Sequence, residues 1–359
     1  MYPLKKIFRK IYFFFIKIFF EIIYGSIKKK SGDGFNLIRI KFSKNSVKEY
    51  EIFEIDNARI YTDSSQNVAV IKKGVIYEKL SIQLINNHLV HTSKNGIIKT
   101  GTRKFIQKKI KGNVLSLIQG ASAIGNYGHW ILDVIPKLIM TKKFKDLNNF
   151  DAILIPNVKK KFQTDSLGYF NISKNKILDG SEITHLYADK ITIPGHPYWE
   201  LDKHQFETVA NVDKDILKSI REIFLKDYDS NKYKKNENIF IDRSDSIFNH
   251  NKLINNLEII DYLKKREFLI IKLAELSFNE QIKIFNRAKI IIGSHGAALT
   301  NLIFCEPSTR VIEIGNPHFD CDVFRNISNI QKLNYSFIKA KPANSEFGDM
   351  KIDIKDLKI

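Results

Sequence analysis

From residue 238 to residue 315, short apolar runs and longer amphipathic runs take turns: NIFIDR, KLINNLEIIDYLKKR, EFLIIK, SFNEQIKIFNRA, KIIIGS, HGAALTNLIFC and TRVIEIG. The short runs hold Ile, Val, Leu and Phe side by side instead of alternating them with polar residues, which is how a strand buried on both faces reads. The longer runs repeat their apolar residues at helical spacing. Strands separated by helix-length crossovers pair in parallel, so this segment specifies a doubly wound sheet covered by helices. The chain is of the α/β class.

A second alternation, VLSLIQG, VIPKLIMTKKF, DAILIP and ADKITIPG, begins near residue 112. Ahead of it, VKEYEIFEI, NVAVIKKGVIYE and IQLINNHLVHTS turn frequently, as in a small sheet that opens a domain. A length of 359 residues exceeds one ordinary core. Two domains are expected, over 36–205 and 206–359, with residues 1–30 apart from both and SGDGFN (31–36) as a linker. Cys305 and Cys321 have the spacing of neither a zinc site nor a disulfide framework. The heavy use of Ile, Lys, Asn and Phe suggests an AT-rich, bacterial genome.

The formal charge is +19, from 58 basic and 39 acidic residues, which calls for an anionic partner: nucleic acid, a phosphate-bearing ligand or acidic lipid. Residues 1–30 alone carry +7. Their apolar stretch from Ile11 to Tyr24 is broken by Lys17 and Glu21 and falls short of the roughly 20 apolar residues of a spanning helix. Wound as a helix, it gathers Lys6, Lys10, Lys17, Glu21 and Lys28 within an arc of roughly 60° opposite a broad face of Phe, Ile and Tyr. That pattern predicts an amphipathic helix lying on an anionic membrane surface, with lysines adding about 1 kcal/mol each. The competing reading is a helix packed on the protein's own core. GSIKKK lacks the small residues of a secretory cleavage site, and the expected location is cytoplasmic, peripheral on the inner face of the plasma membrane.

Open parallel sheets bind ligands beyond the carboxyl ends of their strands. That rule singles out Asp242 and Arg243 after NIFI, Gly293 to Gly296 after KIII, and Glu313 to Asn316 after RVI. In GSHGAALTN two glycines let backbone N–H groups approach an anion at a helix start, and His295 can donate to a phosphate oxygen. A tight turn capped by Ser294, with an exposed histidine, explains the same letters equally well. Arg243 tips the balance, because a guanidinium at a strand end supplies the fork that grips a diphosphate. Glu313 can accept from ribose hydroxyls or be an ordinary strand-end charge. No G-x-G-x-x-G or Walker loop occurs, so hydride transfer and P-loop chemistry lose support.

In the first domain, GNYGHWILDVIP (125–136) places His129 and Asp133 four residues apart, on one face if a helix begins near His129, with Pro136 as a source of a kink. The alternative is an ordinary helix start with Asp133 as a first-turn charge favoured by the dipole. Trp130 is expected in the packing beneath.

NYGHWILDVIPKL, the arginine of IFIDR, and FNRAKIIIGSHGAALTNLIFCEPSTRVIEIGNP resemble glycosyltransferase family 61. That group includes plant arabinosyl- and xylosyltransferases, animal enzymes that add N-acetylglucosamine to proteins, and many bacterial polysaccharide-locus proteins. The resemblance runs from about residue 115 to 317, and its most specific part is the HGA-LTN block with the downstream VIEI, preceded by HW--D. It implies a GT-B-like architecture, two Rossmann-like domains facing across a cleft, and an inverting single displacement at the anomeric carbon.

On that resemblance the second domain holds a nucleotide sugar, expected to be UDP-linked, through Arg243, Gly293, Ser294, His295, Gly296, Ala297, Asn301 and Glu313, and the first holds a glycan or lipid-linked acceptor. Asp133 is the expected base, with His129 orienting it, taking the proton itself or touching the sugar nucleotide. Family members often carry further arginines after the IFIDR-type strand and an Asn-Glu pair in the next helix. This chain has Asn251, Lys252 and Asn256 near those places.

A divalent metal is optional on this reading. HFDCD (318–322) offers Asp320 and Asp322 as a D-x-D pair for manganese, but it follows the last clear strand, and Arg243 with a helix terminus already supplies positive charge. His185, His196 and His204 are too scattered for a ligand set. The function expected is sugar transfer in bacterial capsule or lipopolysaccharide synthesis. Two other classes stand beside it: a catalytically inactive nucleotide-sugar- or glycan-binding scaffold of the same fold, and a basic nucleic-acid binder. The lack of aromatic interleaving and of any recognition motif counts against nucleic acid.

Overall fold

The computed structural model describes the chain outside residues 1, 32–33, 43, 45, 65–66, 82, 86–87, 91–105, 119–124, 201–202, 227, 229–236, 245–251, 317–320 and 345–347. It forms two compact units, Met1–Lys159 with Phe170–Thr208, and Lys160–Tyr169 with Val209–Ile359. Helix Lys161–Gly168, which the sequence reading includes in the first domain, therefore clusters with the second unit. Its Asp165 accepts from the Phe278 backbone N–H at 3.4 Å, and the adjoining Tyr169 packs its ring 5.0 Å from Phe224.

The first unit is built on one mixed sheet. Its strands are β1 (Lys28–Ser31), β2 (Asn36–Ile40), β3 (Tyr50–Ser64), β4 (Asn67–Lys72), β5 (Val75–Ile76), β6 (Gln83–Ile85), β7 (His88–Val90), β8 (Lys108–Ser116), β9 (Ala152–Ile155), β10 (Ile177–Asp179) and β11 (His185–Pro194). The main order is β1-β5-β4-β3-β11-β8-β9-β10, with β2 beside β3 and the β6–β7 hairpin beside β4. The sequence suggests a small separate sheet followed by a parallel one; the structure joins them. Strand β11 runs antiparallel to β3 from His185↔Tyr61 to Pro194↔Ile52 and parallel to β8 on its other side. The reason lies in β3, which buries Ile52, Phe53, Ile55, Ile60 and Tyr61 and so serves as a central strand, where an edge would leave that apolar ladder open.

The N-terminal helix spans Tyr2–Tyr24. Ile16 and Phe20, one turn apart, are buried, and Phe20 packs with Tyr61, Ala69, Ile71 and Ile76 of the sheet. The outer side keeps Phe8, Ile11, Phe15, Ile18 and Ile22 exposed. One side of the helix thus belongs to the protein's core, and an apolar stripe lies on the other. Among the described residues, no helix is long and apolar enough to cross a membrane.

The second unit has the parallel sheet that its sequence specifies. Strands β12 (Glu237–Ile241), β13 (Leu269–Ile271), β14 (Ala288–Ser294), β15 (Arg310–Gly315) and β16 (Asn334–Lys339) lie in the order β13-β12-β14-β15-β16. Phe240, Ile292, Ile312 and Ile314 pack with Ile259 and Leu263 of helix Asn256–Lys264. Elsewhere in the unit, helices Lys214–Phe224 and Phe278–Arg287 meet the 3₁₀ segment Ala297–Phe304 through Phe224, Phe278 and Phe304, with ring centroids 4.9–6.2 Å apart. The chain leaves β12 in one direction to β13 and passes from β14 onward in the other. The carboxyl ends of β12 and β14 therefore flank a topological switch point, where such sheets bind ligands.

Candidate active site

In the first unit the site begins where Asn126 caps a helix, its side-chain oxygen accepting from the His129 backbone N–H at 3.2 Å. Residues Tyr127–His129 are α-helical, Trp130–Val134 widen into a π-helix, and Ile135–Phe144 return to α. Pro136 accounts for the widening: in a continuous α-helix its ring would meet the Leu132 carbonyl and its missing N–H would leave that carbonyl unpaired. Trp130 is fully buried beneath the turn.

His129 Nδ1 lies 2.8 Å from Asp133 Oδ2. Asp133 is wholly buried, and its other oxygen accepts from the Tyr198 hydroxyl. His196 stands with Nε2 3.7 Å from the same carboxylate, beyond hydrogen-bond reach, and stacks on Trp199 at 3.9 Å. Both His196 ring nitrogens are buried without a hydrogen-bond partner among the described residues. Lys137, one turn past Asp133, is also wholly buried and reaches the Leu117 carbonyl at 3.4 Å. Leu117 follows β8 and His196 follows β11, so the cluster collects at the carboxyl ends of two parallel neighbours.

Burial pushes the His129 imidazole down, but the charge and hydrogen bond of Asp133 outweigh it and leave its pKa above the usual value. Burial pushes Asp133 up, and His129 together with His196 overcomes it, holding the carboxyl at about 2. Burial draws Lys137 down to about 8 and His196 down to about 3, each against the pull of Asp133. Of this group His129 alone is substantially open, with 28% of its side chain exposed against none of Asp133. Its Nε2 has no hydrogen-bond partner among the described residues. The buried carboxylate thus fixes the proton on Nδ1 and turns Nε2 outward as a proton acceptor.

In the second unit Arg243, two residues past β12, donates from its guanidinium to the His295 carbonyl. The arginine lies directly over Gly296, where an added Cβ would come 2.7 Å from Nη1 and 2.8 Å from Cζ. Glycine is what lets the guanidinium settle there. The His295 backbone N–H donates to the Ile314 carbonyl at 2.8 Å, and its ring Nδ1 is bonded to Glu313 Oε1. Glu313 is buried, and its Oε2 accepts from the Tyr335 hydroxyl at 2.8 Å. Burial and then the Glu313 charge raise the Tyr335 pKa, which keeps that hydroxyl a donor. Asp242 braces the loop, accepting from the Ser244 backbone and hydroxyl and from Asn256 Nδ2, all at 2.9 Å. A guanidinium and an imidazole are thereby presented together at the switch point of the sheet, a constellation suited to an anionic group.

The glycosyltransferase 61 profile matches residues 127–312, just over half of the chain. The chain belongs to the glycosyltransferase 61 family. Curated relatives match over shorter stretches. A β-1,2-xylosyltransferase, RCN11, of Oryza sativa subsp. japonica is 35% identical over 65 residues, 18% of this chain and 12% of that protein. An EGF domain-specific O-linked N-acetylglucosamine transferase of Gallus gallus is 39% identical over 89 residues, 25% of this chain and 16% of that protein. The chain therefore matches only 12–16% of the length of these relatives. Among solved structures, a mutant flavo di-iron protein from Thermotoga maritima covers 91% of this chain and 97% of its own at 12% identity and a TM-score of 0.26, too low to bear on the fold.

The structure brings His129 together with Asp133, and Arg243, Gly293, Ser294, His295 and Gly296 together at the strand ends of the family's C-terminal motif. It buries two of the expected residues. Glu313 sits behind His295, with Oε1 on the His295 ring and Oε2 accepting from Tyr335. Asn301 is buried in the 3₁₀ segment that Ala297 opens, its amide donating to Gln281 Oε1 at 3.1 Å and to the Ala298 carbonyl at 3.2 Å. Asp133, the expected base, is the inner member of its pair, and His129 is the outer one.

Asn251 and Asp320 lie outside the described residues; Asp322 pairs with Arg325 at 3.1 Å. Among the described residues no group of three or more His, Cys, Asp or Glu is placed to hold a metal. His185 and His204 are distributed to Tyr61 and His88, and only His196 reaches the Asp133 cluster. Tyr198 and Lys137 escaped the sequence reading, and His196 entered it only as one of three histidines too scattered for a ligand set. HPYW follows the strand run ADKITIPG, so the strand-end rule applied to the second domain would have found His196 and Tyr198.

Proposed function

We propose that the protein is an inverting glycosyltransferase of the GT-B type that moves a sugar from a nucleotide-diphosphate donor, UDP-linked, to the hydroxyl of a glycan or lipid-linked acceptor. The observation that carries this reading is the Arg243 guanidinium lying over Gly296 against His295, at the switch point of a parallel sheet and inside the family's matched region. A diphosphate gains two charge-assisted contacts there without a metal. The relatives named for xylose and N-acetylglucosamine transfer support sugar transfer as the reaction class.

In this mechanism His129 Nε2 takes the proton of the acceptor hydroxyl while the acceptor oxygen forms a bond to the anomeric carbon. The bond from that carbon to the diphosphate oxygen breaks, and the electron pair leaves with the diphosphate, whose charge a guanidinium and an imidazole such as Arg243 and His295 are suited to stabilise. Asp133 does not accept the proton; it holds Nδ1–H and stabilises the imidazolium that forms. The transfer serves surface-glycan synthesis of the capsule or lipopolysaccharide kind, at the cytoplasmic face of the plasma membrane. Support for the membrane comes from the exposed stripe Phe8, Ile11, Phe15, Ile18 and Ile22, set in a segment of net charge +7.

A thermal-shift screen against UDP, GDP, CMP and their sugars tests the reading. A ligand at about 100 times its Kd stabilises the native state by about 2.7 kcal/mol. The expected outcome is a rise in melting temperature with one nucleotide diphosphate, abolished by Arg243→Gln; no shift with any of them would remove the donor site from the account.

A further inference from the structure

The first unit contains a cavity of about 400 Å³ where the N-terminal helix ends, bordered by Tyr24, Lys28, Asn57, Arg59, Lys73 and Tyr187 and by no acidic side chain among the described residues. It is separate from the His129 cluster. Tyr187 is near the start of β11 and His196 lies past its end, nine residues on, which is about 30 Å at ~3.3 Å per residue. Arg59 pairs across the sheet with Ile71 of β4 and Tyr187 of β11, so the floor of the cavity is one rung of three strands.

Arg59 is the unusual member. Only 8% of it is exposed, yet its guanidinium makes no hydrogen bond or ion pair with any described residue. The guanidinium rests over the rings of Tyr24 at 5.2 Å and Tyr61 at 5.1 Å. Aromatic faces offset part of the cost of burying a cation, but they satisfy none of its five N–H donors. Burial without a carboxylate is costly, and it shows as a pKa pulled below the ordinary arginine value.

The surroundings supply further donors. Lys73 and Gly74 form the two-residue turn between β4 and β5, with φ of 49° and 74°, and a Cβ on Gly74 would come 2.7 Å from the Ser26 carbonyl. The turn therefore sets Lys73 close against the segment that carries Lys28. The Tyr187 hydroxyl donates to Asn57 Oδ1 at 3.0 Å, which leaves the Asn57 amide N–H₂ as a donor.

We infer that this cavity binds a phosphate group, either of a soluble phosphorylated molecule or of an anionic lipid headgroup. Three cations, one of them a buried guanidinium with no carboxylate beside it among the described residues, match a tetrahedral anion whose oxygens each accept, and the volume admits more than the phosphate itself. The inference rests on neither the transferase reading nor the membrane reading.

The test uses the full chain with Arg243→Gln, so that the second unit adds no anion site, and compares it with the same chain carrying Lys28→Gln/Lys73→Gln or Arg59→Gln. Probes are inorganic phosphate and glycerol phosphate by calorimetry, and phosphatidylcholine vesicles with or without phosphatidylglycerol by flotation. The lysines lie at the rim of the cavity, so the double variant retains its melting temperature even if Arg59→Gln does not. Binding of a soluble probe that falls at least about tenfold in the double variant assigns a soluble phosphorylated ligand. A loss seen only with phosphatidylglycerol vesicles assigns a lipid headgroup. No binding of any probe, or binding that the lysine and Arg59 variants leave unchanged, overturns the inference. Phe8→Ser/Phe15→Ser, which leaves the cavity intact, separates the two membrane questions: unchanged flotation would remove the helix from membrane binding and leave the phosphate site standing.

Discussion

Each unit holds an imidazole backed by a buried carboxylate that also accepts from a tyrosine hydroxyl: Tyr198, Asp133 and His129 in the first, Tyr335, Glu313 and His295 in the second. The difference is in the neighbours. Around Asp133 stand His196 and Lys137, two groups that burial strips of proton affinity, and the His129 ring is 28% exposed. Beside His295 stands the guanidinium of Arg243, and the His295 side chain is 12% exposed. One device therefore serves two ends. The carboxylate faces Nδ1 in both, and on the proposed reading the surrounding groups suit one imidazole to accept a proton and the other to join an anion clamp.

The sharpest way to break the comparison is His129→Gln. Removing a general base costs about 10²- to 10⁴-fold, so kcat for sugar transfer should fall by that factor while the Kd for UDP, measured by calorimetry, stays the same. Arg243→Gln should do the reverse, weakening UDP about 10- to 100-fold, the equivalent of one or two charge-assisted hydrogen bonds. If both variants lose binding equally, the two imidazoles do not have separate tasks.

A third variant, Asp133→Asn, sharpens the distinction through pH. Asp133 raises the His129 pKa, and a base works only when deprotonated, so the acid limb of the kcat/KM profile should lie above the ordinary imidazole value of about 6.5. Losing the carboxylate should move that limb to lower pH. The corresponding stability terms have opposite signs. His129, whose pKa is raised on folding, contributes stability that is complete below about pH 6.5 and lost as pH climbs through its folded value. Asp133, held at about 2, contributes stability above its unfolded value and loses it as pH falls through about 2. His196, kept neutral down to about 3, destabilises the fold progressively as pH drops below about 6.5. Urea midpoints should therefore decline on the acid side, and His129→Gln should flatten the decline that begins above about pH 6.5, which Lys137, drawn down to about 8, offsets at higher pH.

The smallest effect belongs to Gly296→Ala. Its Cβ would meet the far end of a flexible arginine, so the guanidinium shifts and UDP weakens by about three- to tenfold, less than with Arg243→Gln and without change in melting temperature.

The two units were unequally legible in the sequence. Buried parallel strands wrote themselves as unbroken apolar runs, so β12, β14 and β15 and the residues at their tips could be read directly. Strand β3 could not, because its place in the middle of the sheet depends on pairing with β11, more than a hundred residues away, and β11 is the strand that joins the antiparallel to the parallel half. The pairing of His129 with Asp133 was visible as an i, i+4 spacing, but which of them faces outward was not: that follows from Tyr198 and His196, which arrive from beyond β11 and bury the aspartate. Lys137 carries no mark in PKLIMTKKF that sets it apart from Lys142 and Lys143, and it is wholly buried. The burial of Glu313 was hidden for a related reason, since its partner Tyr335 lies on a strand that the pattern did not reveal.

The most direct test of the division of labour measures UDP affinity and sugar transfer side by side in the wild type and His129→Gln. The account predicts that UDP binds both proteins with the same Kd and that transfer in the variant drops at least about a hundredfold. Transfer undiminished in His129→Gln would contradict it, as would a wild type that binds no nucleotide diphosphate.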